Sequence, residues 1–266
     1  MTPSLQDPSI RRRFSAAAPS YDQFAGIQRQ VADDLLASMR LHGRGLRILE
    51  AGCGTGYLTR QLAVRFPDAS IEAIDVSAEM VARARQSSPH MGGVDWRVSD
   101  LAHFQPSRPF DVLASSAALH WIEPQGIGFS YARSLLKPGG ILYGSLMIHG
   151  TLNELREARL RCAPQKKPKG VLPSPQEVRA QLNQRGFQIE SFHQRSYRAI
   201  YPSAHLLIGA LHGMGLTGGL VSRSEIPLNR GELKRLETEY DRSYRDQSGD
   251  VWASYEVAFF RGVRLP

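Results

Sequence analysis

Four residues in the stretch ILEAGCGTGYLTRQLA, Ile48 to Ala63, combine types and spacing that can do chemistry: Glu50, Gly52, Gly54 and Gly56. A short apolar run, LRILEA (Leu46–Ala51), reads as a buried strand, and a helical pattern starts directly after the glycines. Glycine suits a sharp turn or a place where a ligand touches the main chain, because a Cβ would clash. A helix start offers free N–H groups to a negative or polar ligand group. A G-x-G alone is a weak signal, but the strand–turn–helix setting gives it meaning. The dinucleotide fingerprint is G-x-G-x-x-G, whereas here the third glycine comes one residue early and Tyr57 holds its place. Glu50 would repel a pyrophosphate and attract a cation, so a ligand with an ammonium and a sulfonium suits the loop better. Asp75 closes the second strand about 20 residues further on, the distance at which an acid meets ribose hydroxyls. Asp100, followed by Leu101, ends the third strand, where it can accept from an adenine amino group.

These residues need a scaffold, and the surrounding pattern supplies one. SIEAID, VDWRVSD, FDVLASS and GGILYGSLMI read as further strands, with helices at YLTRQLAVRF, AEMVARARQ and Phe129–Leu136, then a turn at Lys137–Gly140. Strands alternating with helices imply a parallel, doubly wound α/β sheet. Residues 20–41 read as one helix, with Ser20 and Gln23 at capping-box spacing and Ile27, Val31 and Leu35 on one face. After Ile148 the rhythm changes. TLNELREARLR has Thr151 and Glu154 at capping-box spacing; SPQEVRAQLNQRGF has Ser174 as N-cap, Pro175 first, Glu177 at N3 and Gly186 as a stop. IESFHQRSYRAIY and VWASYEVAFFRG read as strands, AHLLIGALHGMG and RGELKRLETEYDRSYR as helices. The added helices should lie over the carboxyl edge of the sheet, where open α/β folds bind ligands.

The 266 residues suit one elaborated domain, and 42% hydrophobic with 22% charged residues allows a substantial core. No run approaches the roughly 20 apolar residues of a membrane span. No apolar signal-peptide region opens the chain; RRRFSAAA resembles a transit peptide, but Asp7, Asp22 and the helical pattern that follows argue against one. The two cysteines, Cys53 and Cys162, lack metal-site spacing, so no metal or disulfide is expected and a reducing cytoplasm is the default. The net charge of +8 is dispersed apart from Arg11–Arg13 and the group Lys166, Lys167 and Lys169, and no nucleic-acid motif accompanies it.

The E-x-G-x-G-x-G loop, Asp75, the Asp100–Leu101 pair and LLKPGG resemble class I S-adenosylmethionine-dependent methyltransferases. FSAAAPSYDQFAGIQRQVADDLL, SSAALHWIEP and GTLNELREA further resemble the malonyl-[acyl-carrier protein] O-methyltransferases of biotin synthesis, most strongly over residues 10–155. That resemblance implies a Rossmann-like seven-stranded sheet with an N-terminal helical lid (1–42), a cofactor-binding core (43–150) and acceptor-covering helices with closing strands (151–266). It implies S-adenosylmethionine as cofactor, and methylation of the free carboxylate of a malonyl thioester on an acidic carrier protein by a cytoplasmic monomer. Tyr21 and Gln28 would contact the cofactor from the N-terminal helix; Glu50, Gly52, Gly54, Gly56, Asp75, Val76, Asp100, Leu101 and Ser116 would form its pocket. Ser115 to Trp121 would form the floor beside the methyl group.

His120 stands where the family commonly has glutamine; it would orient the carboxylate or act as a base, with Tyr21 as its catalytic companion and Trp121 as a pocket wall. The substrate carboxylate needs a cation, for which Arg156, Arg159, Arg195 and Arg198 are candidates, Arg156 and Arg198 being preferred. The lysine group and Arg11–Arg13 would make a docking surface for the carrier protein. Ser116 replaces the family's asparagine, Arg159 a tryptophan, and CAPQKKPKGVLP an unlike connection. These departures lie where the acceptor is covered, so carboxyl or hydroxyl methylation of a small metabolite remains open, as does a non-catalytic cofactor-binding module.

Overall fold

The computed structural model describes residues 8–122, 125–168, 170–217 and 226–266. Helices α1 (Pro8–Ala17), α2 (Tyr21–Phe24) and α3 (Gly26–Ser38) precede an alternating core of β1 (Arg47–Ala51), α4 (Tyr57–Arg65), β2 (Ser70–Asp75), α5 (Ala78–Gln86), β3 (Val94–Val98), β4 (Phe110–Ser116), α6 (Ile127–Leu135) and β5 (Leu136–Met147). Then come α7 (Asn153–Cys162), α8 (Pro175–Gln184), β6 (Phe187–Tyr201), α9 (Ala204–Gly213), α10 (Arg230–Ser243) and β7 (Val251–Arg264).

The strands form one seven-stranded sheet in the order β3-β2-β1-β4-β5-β7-β6. The pairs among β1 to β5 are parallel, whereas β7 runs antiparallel to both β5 and β6. The central strand β1 is buried on both faces, as crossover helices require, whereas the edge strand β3 is largely exposed apart from Trp96. Alternate residues serve opposite sides: Ile48, Val112 and Ala114 join Val31, Leu35 and Leu62, while Leu49 and Leu113 join Phe129 and Leu135. Chain order reverses about β1, with β2 on one side and β4 on the other, which opens a crevice at the strands' carboxyl ends.

Three sequence expectations change. The helix expected over 20–41 is two, broken at Ala25, whose N–H donates to Tyr21 O. Ser20 caps nothing; its hydroxyl donates to Ala17 O and, at 3.0 Å, to Gly213 O on α9. The apolar stripe nonetheless buries Ile27, Val31 and Leu35, and α3 packs on α4 and the sheet while α2 packs on α9.

Thr151 and Glu154 likewise form no capping box. Leu152, in the left-handed region at φ 54°, precedes α7, Thr151 exchanges hydrogen bonds with the Glu256 main chain, and Glu154 accepts from the Ser254 N–H and hydroxyl. The Lys137–Gly140 turn is absorbed into β5 as a register shift, Phe110 facing Leu136 and Val112 facing Ile141. Ser174 and Glu177 do form the expected reciprocal capping box.

Candidate active site

A cavity of about 440 Å³ opens at the carboxyl ends of β1, β2 and β4. Its first wall is the glycine loop. Gly52 sits at φ +76°, and a Cβ there would lie 2.3 Å from the Ala118 Cβ, so only glycine lets the loop pass under the β4 turn. At Gly56, φ +82°, a Cβ would strike the Trp96 ring at 2.6 Å; this glycine serves packing and does not line the cavity. Gly54 does line it, with open space in front.

Asp75 is held from two loops: the Gly54 N–H donates to Oδ2 and the Ser77 N–H to Oδ1, each at 2.9 Å. Burial raises the carboxyl's pKa, and these two N–H groups oppose the rise by favouring the anion. Glu50 is 2% exposed and is not on the cavity wall; it lies beneath the loop, accepting the Thr59 hydroxyl at 2.5 Å. Burial pushes its pKa up to about 8, against the favourable hydroxyl contact.

Tyr21, Gln28, Val76, Leu101 and Ser116 all reach the cavity. The Gln28 Oε1 is buried with no hydrogen-bond partner among the described residues, an orphan acceptor that a bound ligand would satisfy. Asp100 stays outside: one oxygen accepts the Ala102 N–H at 3.0 Å and the other faces His103, so its neighbours Ser99 and Leu101 form the wall.

The turn after β4 carries Ala117 at φ 50°, a strained conformation for a non-glycine residue beside the site. It brings Ser116, His120 and Trp121 to the cavity, whereas Ser115 points away and donates to Ala51 O at 2.8 Å. His120 is 7% exposed, its Nδ1 has no partner among the described residues, and burial lowers its pKa to about 3, which keeps the ring neutral. Trp121 meets Phe14 of α1 edge-on at 5.3 Å, and Phe14 meets Tyr21 at 6.5 Å. Burial raises the Tyr21 pKa, with Asp75 and then Asp22 adding to it, so the phenol keeps its proton.

The opposite half is walled by α7, α9 and α10 through Leu155, Ile208, Leu211, Leu233 and Leu236. Arg156 and Arg159 enter it from α7. Arg159 is buried and its Nε donates to Lys166 O, while among the described residues the Arg156 guanidinium has no hydrogen-bond or ion-pair partner.

Arg198 is a correction: it stands on the exposed side of β6, stacked over Trp252 at 4.9 Å, away from the cavity. Arg195 is likewise committed, to Asp34 at 2.6 Å. Lys166 is 13% exposed and bound to Glu232 and Pro227 O, so it is not a free docking cation; Lys167 is exposed and Lys169 lies outside the described residues. Sequence reasoning missed Ile10 and Phe14 of α1 and the apolar wall; the only signal was helical spacing, which does not say what a face covers.

The donor set suits a cationic nucleoside. A glycine cradle that a Cβ would fill, a carboxylate at the end of β2, an orphan amide oxygen and an aromatic cluster converge on one crevice. Among the described residues no His, Cys, Asp and Glu group could hold a metal ion.

Residues 48–140 match the family described as a methyltransferase domain. The malonyl-[acyl-carrier protein] O-methyltransferase of Methylococcus capsulatus is 32% identical over 92% of this chain and 89% of its own length. A malonyl-[acyl-carrier protein] O-methyltransferase 2 from Ilyobacter polytropus is 28% identical over 88% and 90%. Among solved structures, the Bacillus subtilis YcgJ protein superposes with a TM-score of 0.61 at 14% identity, covering 89% of this chain and 99% of that one. Haemonchus contortus phosphoethanolamine N-methyltransferase 2, in complex with S-adenosyl-L-methionine, superposes at 0.58 with 18% identity, over 94% and 57%. The fold is thus that of the class I methyltransferases, and the chain belongs to the malonyl-[acyl-carrier protein] O-methyltransferase family of S-adenosylmethionine-dependent O-methyltransferases.

Proposed function

We propose that this enzyme esterifies the free carboxylate of a malonyl thioester carried by an acidic acyl-carrier protein, a step of biotin (pimeloyl) synthesis, as a cytoplasmic monomer. In this reading residues 1–42 form the lid, 43–150 the cofactor core and 151–266 the acceptor cover. The observation that carries it is Arg156, without a partner among the described residues, in a largely apolar half-cavity. A guanidinium fork there would receive a carboxylate in bidentate fashion.

S-adenosylmethionine supplies the electrophilic methyl group when bound. Gly52, Gly54, Asp75, Val76 and Leu101 would hold it with Gln28, while Glu50 beneath the loop would keep its proton at neutral pH and serve through its bond to Thr59. Tyr21, Phe14 and Trp121 would screen the reacting atoms from water and offer ring faces to the sulfonium, worth about 0.5–2 kcal/mol. A carboxylate is already ionised at pH 7, so the chain has only to align it. Burial keeps the His120 ring neutral, and a carboxylate acceptor asks no base of it. Its part would be to orient the acceptor.

The test is mass spectrometry of malonyl-carrier protein incubated with the enzyme and S-adenosylmethionine. A gain of one methyl group is expected. No gain, with free small acids methylated instead, would replace this reading by the small-metabolite one.

A further inference from the structure

Helix α2 is a single turn of four residues, Tyr21 and Asp22 half-buried and Gln23 and Phe24 exposed, with no side-chain cap, yet it carries Tyr21 into the cavity. So short a helix has no stability of its own, and its place must be set by bonds to other elements. Three side chains supply them. The Arg29 Nη1 donates to Asp22 O at 2.6 Å, which ties the turn to α3. The Ser20 hydroxyl ties its start to Gly213 at the end of α9. The Thr55 hydroxyl donates to Asp22 Oδ1 at 2.7 Å, and of the three only this bond reaches the glycine loop.

Thr55 is 3% exposed, so its hydroxyl depends on that partner. Among the described residues the Asp22 carboxylate has no ion pair and no other hydrogen bond. Thr55 also follows Gly54, whose N–H holds Asp75. Consecutive loop residues therefore hold the two carboxylates whose charges bear on Tyr21. A second tether repeats the pattern: the hydroxyl of Ser15 on α1 lies 3.0 Å from that of Ser77, the other residue holding Asp75 through its N–H. The N-terminal helices are thus fastened to the same two loops that Asp75 joins.

We propose that Asp22 is a positioning residue for methyl transfer, acting through Thr55: their hydrogen bond registers Tyr21 over the cofactor pocket to the conformation of the glycine loop. A cofactor seated against that loop then meets Tyr21 in a fixed place, and loss of the bond uncouples the two. This goes beyond the acceptor assignment and does not depend on it, because cofactor affinity is measured without an acceptor.

The experiment is titration calorimetry of S-adenosylmethionine with the full chain. Thr55→Val, which keeps the shape and removes the hydroxyl, and Asp22→Ala should each weaken binding about tenfold, the low end for a hydrogen bond to a charged group. The double variant should be no weaker than the worse single one, since one bond is lost in each. Asp22→Asn and Thr55→Ser, which keep an acceptor and a donor, should bind within about twofold of the parent. In a Tyr21→Ala background Thr55→Val should cost nothing further. The proposal is overturned if Thr55→Val binds like the parent, if the two losses multiply, if Asp22→Asn fails to restore affinity, or if the loss persists without Tyr21. A merely structural role would instead lower the melting temperature of both variants whatever occupies position 21.

Discussion

Where the cavity meets β1, β2 and β4, main-chain atoms fix its key groups: the N–H groups of Gly54 and Ser77 hold Asp75, and Ser145 O accepts the Ala117 N–H of the turn. Where it meets α7, α9 and α10, the wall is leucine and isoleucine, and the polar groups hang on long side chains such as Arg156. Main-chain anchoring leaves little freedom, so the strand-end half is built for one ligand shape. A helical wall can exchange side chains without disturbing the sheet, so the helical half is where acceptors can differ between relatives. Of the family departures, Arg159 and Leu172 line this second half, whereas Ser116 ends β4 in the first.

The largest expected effect is at Asp75. Asp75→Ala removes the carboxylate that joins two loops and would meet two ribose hydroxyls; each such bond to a charged group contributes about 1.5–3 kcal/mol. S-adenosylmethionine affinity should fall by roughly 100-fold or more in calorimetry. A loss under tenfold would show that the strand-end half is no more rigidly specified than the helical one.

Glu50 tests the same half through stability. Its carboxyl ionises near 4.5 in the unfolded chain and near 8 in the buried site. Below pH 4.5 both states hold the proton. Between 4.5 and 8 the unfolded chain releases it and the native protein keeps it, so native stability contributed by this group is lost as pH rises. Glu50→Gln, which cannot ionise, should escape that loss and exceed the parent's stability at pH 8 by about 2–4 kcal/mol in denaturant titrations. An advantage that does not grow from pH 5 to pH 8 would mean that Glu50 is ionised in the native protein.

The two halves also differ in how far they could be read in advance. The glycines and acids of the strand-end half sit at strand ends where backbone geometry dictates residue type, so Gly52, Gly54 and Asp75 were legible as cavity residues. Asp100 was not, because the Ala102 N–H claims its carboxylate, a local competition that residue type does not reveal. Capping patterns show the same limit. Ser174/Glu177, Thr151/Glu154 and Ser20/Gln23 share one spacing, and only the first pair caps a helix. In the others Ser20 bonds to Gly213, Thr151 to Glu256 and Glu154 to Ser254, each far off in sequence. The α7–α10 wall was invisible as a wall, since an apolar helical face reads alike over a core or a cavity.

Arg156 and Arg198 separate the helical half from its surroundings, and they carry the smallest effects. Both are arginines on segments close to the acceptor cover, and spacing gave no reason to choose between them. Tyr197 is 7% exposed and faces inward, so strand alternation turns its neighbour Arg198 outward onto Trp252, whereas the α7 turn that carries Leu155 also brings Arg156 to the cavity. Arg156→Met should therefore raise the KM for malonyl-carrier protein about 10- to 100-fold, as expected for losing a charge-assisted pair, with S-adenosylmethionine affinity unchanged. Arg198→Met should leave both constants alone and lower stability by only about 0.5–1 kcal/mol, the worth of a cation–π stack at an exposed site. If instead KM rises for Arg198→Met and not for Arg156→Met, the acceptor carboxylate meets the outer face of β6, and the helical half of the cavity serves the acyl chain or its carrier arm alone.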